Sequence, residues 1–137
     1  MQIAILGAGS FGTVLADQAA TNGHQVHLWT RDAEVASAIN RDRVNAKYHP
    51  TLKLHASIHA YTELAEAVAD AELVLLSVPS KVMGEVCQQL APIVPANASL
   101  VSTTKGIERD GFLLMSQVIH RNLPAHAIGV LSGPNIA

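Results

Sequence analysis

The sequence predicts an α/β protein with a doubly wound, mostly parallel six-stranded sheet and helices on both faces. Three observations favour this class. Short apolar runs alternate with segments in which apolar residues recur every three or four positions, as strands and helices do in βαβ units. The first strand–helix–strand interval is about 30 residues, the length of one such unit. The chain has 137 residues, of which 49% are hydrophobic, so residues 1–137 are expected to form one domain with a sizeable core.

Strands and helices are predicted to alternate through the first half of the chain. An apolar strand at residues 3–6 precedes a helix with apolar positions at spacings of three and four. The stripe on that helix is predicted to consist of Phe11, Val14, Leu15 and Ala19. Residues 25–29 are rich in β-formers and give the second strand. Asp32 can cap a second helix that carries Val35 and Ile39.

The second half of the chain continues this alternation. A weak strand is predicted at residues 57–60 and a short helix at residues 64–68. Residues 73–78 are the most hydrophobic run of the chain, which is typical of a central parallel strand buried on both faces. The remaining predicted elements are a helix capped by Ser80, a strand at residues 100–103, a helix at residues 112–119 and a strand at residues 127–131.

Charge and hydropathy exclude several classes of partner. The net charge is -2, from 9 Lys and Arg against 11 Asp and Glu, so no basic excess favours nucleic acid or an anionic membrane surface. The longest apolar runs have the length of strands, and no signal peptide or spanning segment is predicted. We therefore expect a cytoplasmic location.

Thiol and metal chemistry are not predicted. The one cysteine, Cys87, excludes an intrachain disulfide and disfavours a thiolate zinc site. It falls on an apolar helical face, where packing is favoured over a role as nucleophile. His55 and His59 have the spacing of half a metal site on a helix, but their segment is not convincingly helical and offers no third ligand. No metal is expected.

A GxGxxG motif at residues 7–12 lies between the first strand and the first helix. In this position Gly7 would permit a tight turn, Gly9 would let a diphosphate approach the backbone, and Gly12 would let helix and sheet pack closely. The helix would direct its free N–H groups and positive dipole end at that diphosphate. The motif therefore predicts a Rossmann-type dinucleotide site. A glycine-rich turn with a purely structural role is the alternative.

Cofactor choice is predicted from the end of the second strand, about 20 residues beyond the glycines, where NAD-binding proteins carry an acidic residue for the ribose. The sequence has Arg31 and Asp32 there. The Arg31 guanidinium would pair with a 2′-phosphate, which a carboxylate would repel. We therefore expect NADP to be preferred over NAD. The alternatives are a solvated Arg31 and an Asp32 that binds the ribose instead of capping a helix.

A basic loop follows the second predicted helix. It contains Arg41, Arg43 and Lys47. A solvated loop is the favoured interpretation, and an approach of these cations to the adenosine phosphate is the alternative. Tyr48, in the same loop, is expected to pack near the edge of the cofactor.

The chain resembles the bacterial-type NAD(P)-dependent glycerol-3-phosphate dehydrogenases, specifically their N-terminal cofactor domain, over nearly its whole length. The resemblance rests on residues 7–13 together with five later segments. These are Leu28-Trp29 with Arg31-Asp32, residues 40–48 with Pro50, Val78-Pro79-Ser80, Thr104-Lys105-Gly106-Ile107-Glu108, and Ser132-Gly133-Pro134-Asn135. Many dehydrogenases share GxGxxG, whereas the segments at residues 104–108 and 132–134 are far more specific.

The resemblance and the glycine motif together imply a set of binding residues. The cofactor site would consist of Gly7, Gly9, Ser10, Phe11, Gly12, Arg31, Tyr48, Pro79, Lys105 and Ala137. The substrate would be bordered by Lys105, Gly133 and Asn135. Independently of the family, Lys105 and Gly133 follow the fifth and sixth predicted strands, and open α/β sheets bind ligands at the carboxyl ends of strands. A surface lysine without a ligand is the alternative for Lys105.

The reaction that the resemblance implies is reversible hydride transfer between C4 of the nicotinamide and C2 of dihydroxyacetone phosphate. It gives sn-glycerol 3-phosphate for phospholipid biosynthesis. The family places the acid–base lysine and most phosphate ligands in a helical C-terminal domain absent from this chain. We therefore expect no catalytic residue within residues 1–137, and cofactor binding without turnover. The resemblance leaves the oligomeric state open, a homo-oligomer included.

Two alternative functions remain at this point. One is the cofactor domain of another small-substrate dehydrogenase, of the ketopantoate or 6-phosphogluconate type. The segment at residues 104–108 argues against it. The other is a non-catalytic nucleotide-sensing module, in which Lys105 and the Ser-Gly-Pro turn would have no reason to lie together beside the nicotinamide.

Overall fold

The computed structural model describes residues 1–133, in which six strands form one parallel sheet. The strands are β1 (Gln2–Leu6), β2 (Gln25–Trp29), β3 (Ile58–Tyr61), β4 (Leu73–Leu76), β5 (Ser99–Ser102) and β6 (Ile128–Val130). The helices are α1 (Ser10–Thr21), α2 (Ala33–Asp42), α3 (Leu64–Val68), α4 (Met83–Leu90) and α5 (Met115–Asn122). None of these helices is long and apolar enough to serve as a membrane span. The predicted α/β class and strand number are confirmed.

The order of strands across the sheet is β3-β2-β1-β4-β5-β6. The chain therefore winds outward from β1 to β3, returns to the middle at β4 and winds outward in the opposite direction. The direction reverses between β1 and β4, which pair from Ile3 with Leu73 to Leu6 with Leu76. This reversal leaves a crevice beyond the carboxyl ends of the two strands, which is where open α/β sheets bind ligands.

Each face of the sheet is covered by its own set of helices, so the molecule has two apolar cores. Successive residues of a strand point to opposite faces, and in β1 this alternation sends Ile5 to one core and Leu6 to the other. The core under α1 and α2 includes Ile5, Val26, Leu28, Ile39 and Ile58. The core under α3, α4 and α5 includes Leu6, Leu76, Met83, Leu90 and Leu100. The prediction of helices on both faces is confirmed.

The buried face of α1 differs from the predicted stripe of large apolar residues. Its buried residues are Gly12, Thr13, Ala16 and Ala20. Val14 is 36% exposed, and the other residues of the predicted stripe are only partly buried. At Gly12 the helix lies against the carbonyl oxygen of Gly7, which leaves no room for a side chain, and the other buried positions of α1 also carry small residues. Apolar periodicity therefore predicted the helix correctly but assigned the wrong residues to its buried face.

The elements after β4 show further differences from prediction. Ser80 is not a helix cap, because residues 80–82 form a separate 3-10 turn and α4 begins at Met83. The helix predicted at residues 112–119 begins at Met115 instead. Phe112 takes a left-handed φ of 54° and is 82% exposed, so it belongs to the preceding turn. Strand 73–78 ends at Leu76, and the last predicted strands are shifted or shortened by one residue at their ends.

Candidate functional site

A cavity of about 530 Å³ lies at the crevice between β1 and β4. The glycine turn after β1, the segment after β2, the loop after α2 and the segment after β4 supply its walls. Of the residues predicted for the cofactor site, the cavity lining includes Gly7, Gly9, Arg31, Tyr48 and Pro79. Residues from four separate parts of the chain therefore meet at the place where this class of sheet binds ligands.

The three glycines of the motif have different surroundings. Gly7 has a φ of +120°, and a Cβ there would lie 2.5 Å from the Ser77 carbonyl oxygen. A Cβ on Gly12 would lie 1.9 Å from the Gly7 carbonyl oxygen, so close packing of helix and turn depends on its absence. A Cβ on Gly9 would meet nothing within 4 Å. The turn is therefore closed by protein at Gly7 and Gly12 and open at Gly9.

The N-terminus of α1 adjoins this open position. Gly9 is the N-cap residue, no side chain caps the helix, and the first turn contains no acidic residue. The first N–H groups of a helix have no partner within the helix and carry its positive dipole end. The open Gly9 and these N–H groups fit an anionic group such as a diphosphate. Ser10 and Phe11 begin α1 beside the turn but are not among the residues that line the cavity.

Arg31 lies at the carboxyl end of β2, on the wall of the cavity. Its side chain is 54% exposed, its guanidinium carbon lies 5.8 Å from the centroid of the Trp29 ring, and its Nη2 donates to Glu85 Oε1 at 3.3 Å. The neighbouring Asp32 caps α2, because its Oδ1 accepts from the backbone N–H groups of Glu34 and Val35 at 3.0 and 3.3 Å. The predicted helix cap is confirmed, and the guanidinium is the cationic group of this segment.

The loop at residues 45–49, here called the strap loop, holds the glycine turn from outside. Asn45 is 1% exposed, and its Nδ2 donates to the Ala8 carbonyl oxygen and to Thr13 Oγ1, both at 2.9 Å. His49 Nε2 lies 2.8 Å from the Ser10 carbonyl oxygen. Since Tyr48 of the same loop lines the cavity, the strap loop ties the wall of the cavity to the turn.

Sequence reasoning missed the part played by the strap loop. Arg41 is solvated as expected and pairs with Asp42 at the surface, but it lies in the last turn of α2 and not in a loop. The interpretation as a solvated loop is wrong for Arg43, whose guanidinium donates to the backbone carbonyls of His55 and Ile58. Lys47 is exposed, but it lines the cavity with its Nζ 5.6 Å from the centroid of the Tyr48 ring. The resemblance at residues 40–48 drew attention to this loop. No spacing of residues along the chain indicated that the loop contacts the glycine turn.

The residues predicted near the substrate lie beyond the last two strands. Lys105 is exposed in the loop that follows β5 and is not among the residues lining the cavity. The next residue, Gly106, has a φ of +109° and approaches Ser80, so this loop lies against the segment after β4. Gly133 follows β6 with a φ of 147°. Two other predicted residues, Asn135 and Ala137, lie outside the described residues.

Cys87 and the pair His55 and His59 make packing and hydrogen-bond contacts within the protein. Cys87 is fully buried in α4, and burial raises the pKa of its thiol to about 12, so the unreactive protonated form prevails. The predicted packing role is confirmed. His59 lies in β3 with its ring centroid 4.7 Å from that of Tyr61, and the His55 backbone N–H donates to Asp17. Across residues 1–133, no group of three His, Cys, Asp or Glu side chains could hold a metal ion.

Comparison with known proteins assigns the chain to a family. Residues 2–137 match the sequence model described as "NAD-dependent glycerol-3-phosphate dehydrogenase N-terminus". The chain is 51% identical over 134 residues to glycerol-3-phosphate dehydrogenase (NAD(P)+) of Alcanivorax borkumensis, and 47% identical over 137 residues to the protein of the same name from Teredinibacter turnerae. These alignments cover 98% and 100% of this chain but 39% and 40% of the two relatives.

A solved structure gives the same assignment. The crystal structure of glycerol-3-phosphate dehydrogenase from Coxiella burnetii superimposes with a TM-score of 0.91 and 32% sequence identity. The superposition covers 98% of this chain and 41% of that chain. The chain thus spans about two fifths of the length of the relatives that it matches. It belongs to the NAD-dependent glycerol-3-phosphate dehydrogenase family, whose N-terminal region it matches over residues 2–137.

Proposed function

We propose that this chain is the cofactor-binding part of a glycerol-3-phosphate dehydrogenase and that it binds NADPH or NADH in the cavity between β1 and β4. The observation that carries the proposal is the glycine turn, which is closed by backbone contacts at Gly7 and Gly12 and open at Gly9. A purely structural turn has no need for an open face beside an uncapped helix N-terminus. The names of the relatives, which include NAD(P)+, support this class of cofactor.

Each wall of the cavity has a part in holding the cofactor. The backbone at Gly9 and the first N–H groups of α1 would bind the diphosphate, and Arg31 would bind the 2′-phosphate of NADPH as a charge-assisted partner. Tyr48 and Pro79 would pack against its apolar parts. Asn45 would act as a positioning residue, since it holds the turn through Ala8 without lining the cavity itself.

In the reaction that we propose for the whole enzyme, the bound nicotinamide exchanges a hydride with C2 of dihydroxyacetone phosphate, forming sn-glycerol 3-phosphate for phospholipid biosynthesis. Lys105 would bring its ammonium to the phosphate or carbonyl oxygen of the substrate. Gly133 and Asn135 would border the substrate, and Ala137 would contact the cofactor. The general acid and most phosphate ligands are proposed to lie in the further region that the relatives contain. A cytoplasmic location belongs to the same proposal.

The alternative enzyme function, a ketopantoate or 6-phosphogluconate type of dehydrogenase, is disfavoured by the family match over residues 2–137. A nucleotide-sensing module without catalysis is disfavoured by the same match, since the relatives carry the name of a dehydrogenase. Both alternatives would use the same cavity for a dinucleotide. They differ from the present proposal in the substrate and in the chemistry that follows cofactor binding.

Removing the guanidinium of Arg31 is expected to abolish a preference for NADPH. In the parent chain, titration with the two reduced cofactors should show tighter binding of NADPH. Arg31→Ala should weaken NADPH binding by about 1 to 3 kcal/mol, because a charge-assisted pair with the 2′-phosphate is lost, and should leave NADH within a few-fold. Arg41→Ala is the matched control, since Arg41 pairs with Asp42 at the surface. Equal affinities of the parent chain for both cofactors would refute the assignment of Arg31.

The proposed division of the site predicts that residues 1–137 bind cofactor without turning over substrate. Loss of acid–base catalysis alone removes about 10² to 10⁴ in rate, and loss of substrate positioning removes more. The purified chain would be mixed with NADPH and dihydroxyacetone phosphate, and the absorbance of the reduced nicotinamide followed. A flat trace is expected. Steady oxidation that depends on the substrate would show that the catalytic groups are all present in this chain.

A further inference from the structure

Glu85 places a carboxylate beside the cation at the wall of the cavity. It lies in the first turn of α4, and its Oε1 accepts from Arg31 Nη2 at 3.3 Å, although the two residues are 54 positions apart in the chain. Gln89 Nε2 donates to the same oxygen at 3.3 Å, which holds the carboxylate from one turn farther along the helix. Both charged side chains are more than half exposed. The pair is therefore accessible to a ligand.

We propose that Glu85 is a positioning residue that sets the cofactor specificity of this site by competing with the 2′-phosphate of NADPH for Arg31. The inference rests on the proposed function, because it assumes that the cavity binds a nicotinamide dinucleotide. Glu85 itself is not among the residues lining the cavity. It acts through the guanidinium that it contacts.

The charges around Arg31 support this competition. Lys47 and Lys81 also line the cavity, which favours the approach of an anionic ligand to this wall. Asp32, next to Arg31, directs its Oδ1 to the N–H groups at the start of α2. Glu85 is thus the carboxylate with a hydrogen bond to the guanidinium in the described part of the chain. A bidentate phosphate needs two parallel N–H groups of the guanidinium, and Glu85 occupies one of its nitrogens.

The two cofactors should respond differently to this carboxylate. A 2′-phosphate bound to Arg31 would lie beside Glu85 and, with about -1.5 to -2 charges at neutral pH, would be repelled by its carboxylate, whereas the 2′-hydroxyl of NADH is uncharged. An exposed ion pair also orders Arg31, but such pairs are worth little. Repulsion of nearly two charges should therefore outweigh the benefit of ordering. Glu85 is therefore expected to weaken the binding of NADPH, and so reduce the preference for NADPH over NADH, without changing the affinity for NADH.

The test is a double-mutant cycle read by the dissociation constants of NADPH and NADH. Glu85→Gln keeps the size and a hydrogen-bond acceptor while removing the charge. It should tighten NADPH binding by about 3- to 10-fold and leave NADH within about 2-fold, and the gain should shrink at high salt. In the Arg31→Ala background, where no guanidinium holds the phosphate beside Glu85, the same substitution should have little effect on either cofactor. Glu72→Gln is the matched control, because it makes the same change in net charge. Glu72 lies directly before β4, at the amino ends of the strands and thus at the end of the sheet opposite the cavity.

Each outcome of this cycle decides the inference. A selective gain for NADPH that disappears without Arg31 supports it. Unchanged NADPH binding, an equal gain for both cofactors, or the same gain without Arg31 would overturn it while leaving the proposed function intact. A parent chain that binds neither cofactor would overturn the proposed function and, with it, this inference.

Discussion

A Gly12→Ala chain is expected to lose about 3 kcal/mol or more of its free energy of unfolding. The new Cβ would lie 1.9 Å from the carbonyl oxygen of Gly7 and 3.1 Å from its carbonyl carbon. Both atoms belong to backbone that is fixed on the other side, because the Gly7 N–H donates to the Trp29 carbonyl at 2.9 Å. The turn therefore cannot move away without breaking the end of the sheet. Since small domains have about 5–15 kcal/mol of stability, this is a large share of the total.

Denaturant unfolding followed by far-ultraviolet circular dichroism would measure this loss. Gly84→Ala is the matched control, because a Cβ there meets only Val118 and Arg121 side-chain atoms at 3.9 and 4.0 Å. In the first turn of α4 that change should be neutral or should stabilise by up to about 1 kcal/mol. A Gly12→Ala chain with the unfolding midpoint of the parent would contradict the close packing of α1 on the turn.

A Gly9→Ala chain is expected to keep its stability and to bind both cofactors more weakly. Gly9 has a φ of -79° and a ψ of -167°, which is extended backbone that any residue adopts, and a Cβ would meet nothing within 4 Å. The free energy of unfolding should therefore stay within about 0.5 kcal/mol of the parent value. The added methyl group would occupy the space that the diphosphate needs. A clash costing about 1–3 kcal/mol corresponds to about 5- to 150-fold weaker binding.

The response to both cofactors separates this effect from that of Arg31. Gly9→Ala should weaken NADPH and NADH alike, because both contain the diphosphate, whereas Arg31→Ala should act on NADPH alone. Calorimetric titration of each variant with each cofactor would measure the four affinities, with Gly84→Ala again as the control. Unaltered affinities in a folded Gly9→Ala chain would mean that the diphosphate does not approach the glycine turn.

The order of strands and helices along the chain was predictable. Strands appear as short apolar runs, whereas helices appear as segments with apolar residues at spacings of three and four. The exact contact faces and ends were not predictable, because they depend on neighbours distant in the chain. The stripe predicted for α1 consisted mainly of large apolar residues, whereas the buried face consists of small residues, including Gly12, which lies against the Gly7 carbonyl. The strand at residues 73–78 was predicted too long, since it ends at Leu76, and the next two residues, Ser77 and Val78, line the cavity.

The candidate site divides in the same way. The glycines and Arg31 could be found because their chemistry follows from a fixed distance along one βαβ unit. Asn45 and Glu85 could not, because their partners lie elsewhere in the chain: Thr13 is 32 positions before Asn45, and Arg31 is 54 positions before Glu85. No local pattern of charge or hydropathy marks such a pair. Only the tertiary fold brings the strap loop to the glycine turn and α4 to the segment after β2.

Amide chemical-shift mapping of the parent chain during titration with NADPH tests the central claim most directly, which is that the dinucleotide binds in the cavity between β1 and β4. The account predicts that the largest shifts occur at the backbone N–H groups of Gly9, Ser10 and Arg31, with smaller shifts in the strap loop. Residues at the amino ends of the strands, such as Glu72, should show no change in chemical shift. Chemical-shift changes centred on the amino ends of the strands, or none at saturating NADPH, would contradict the assignment of the site.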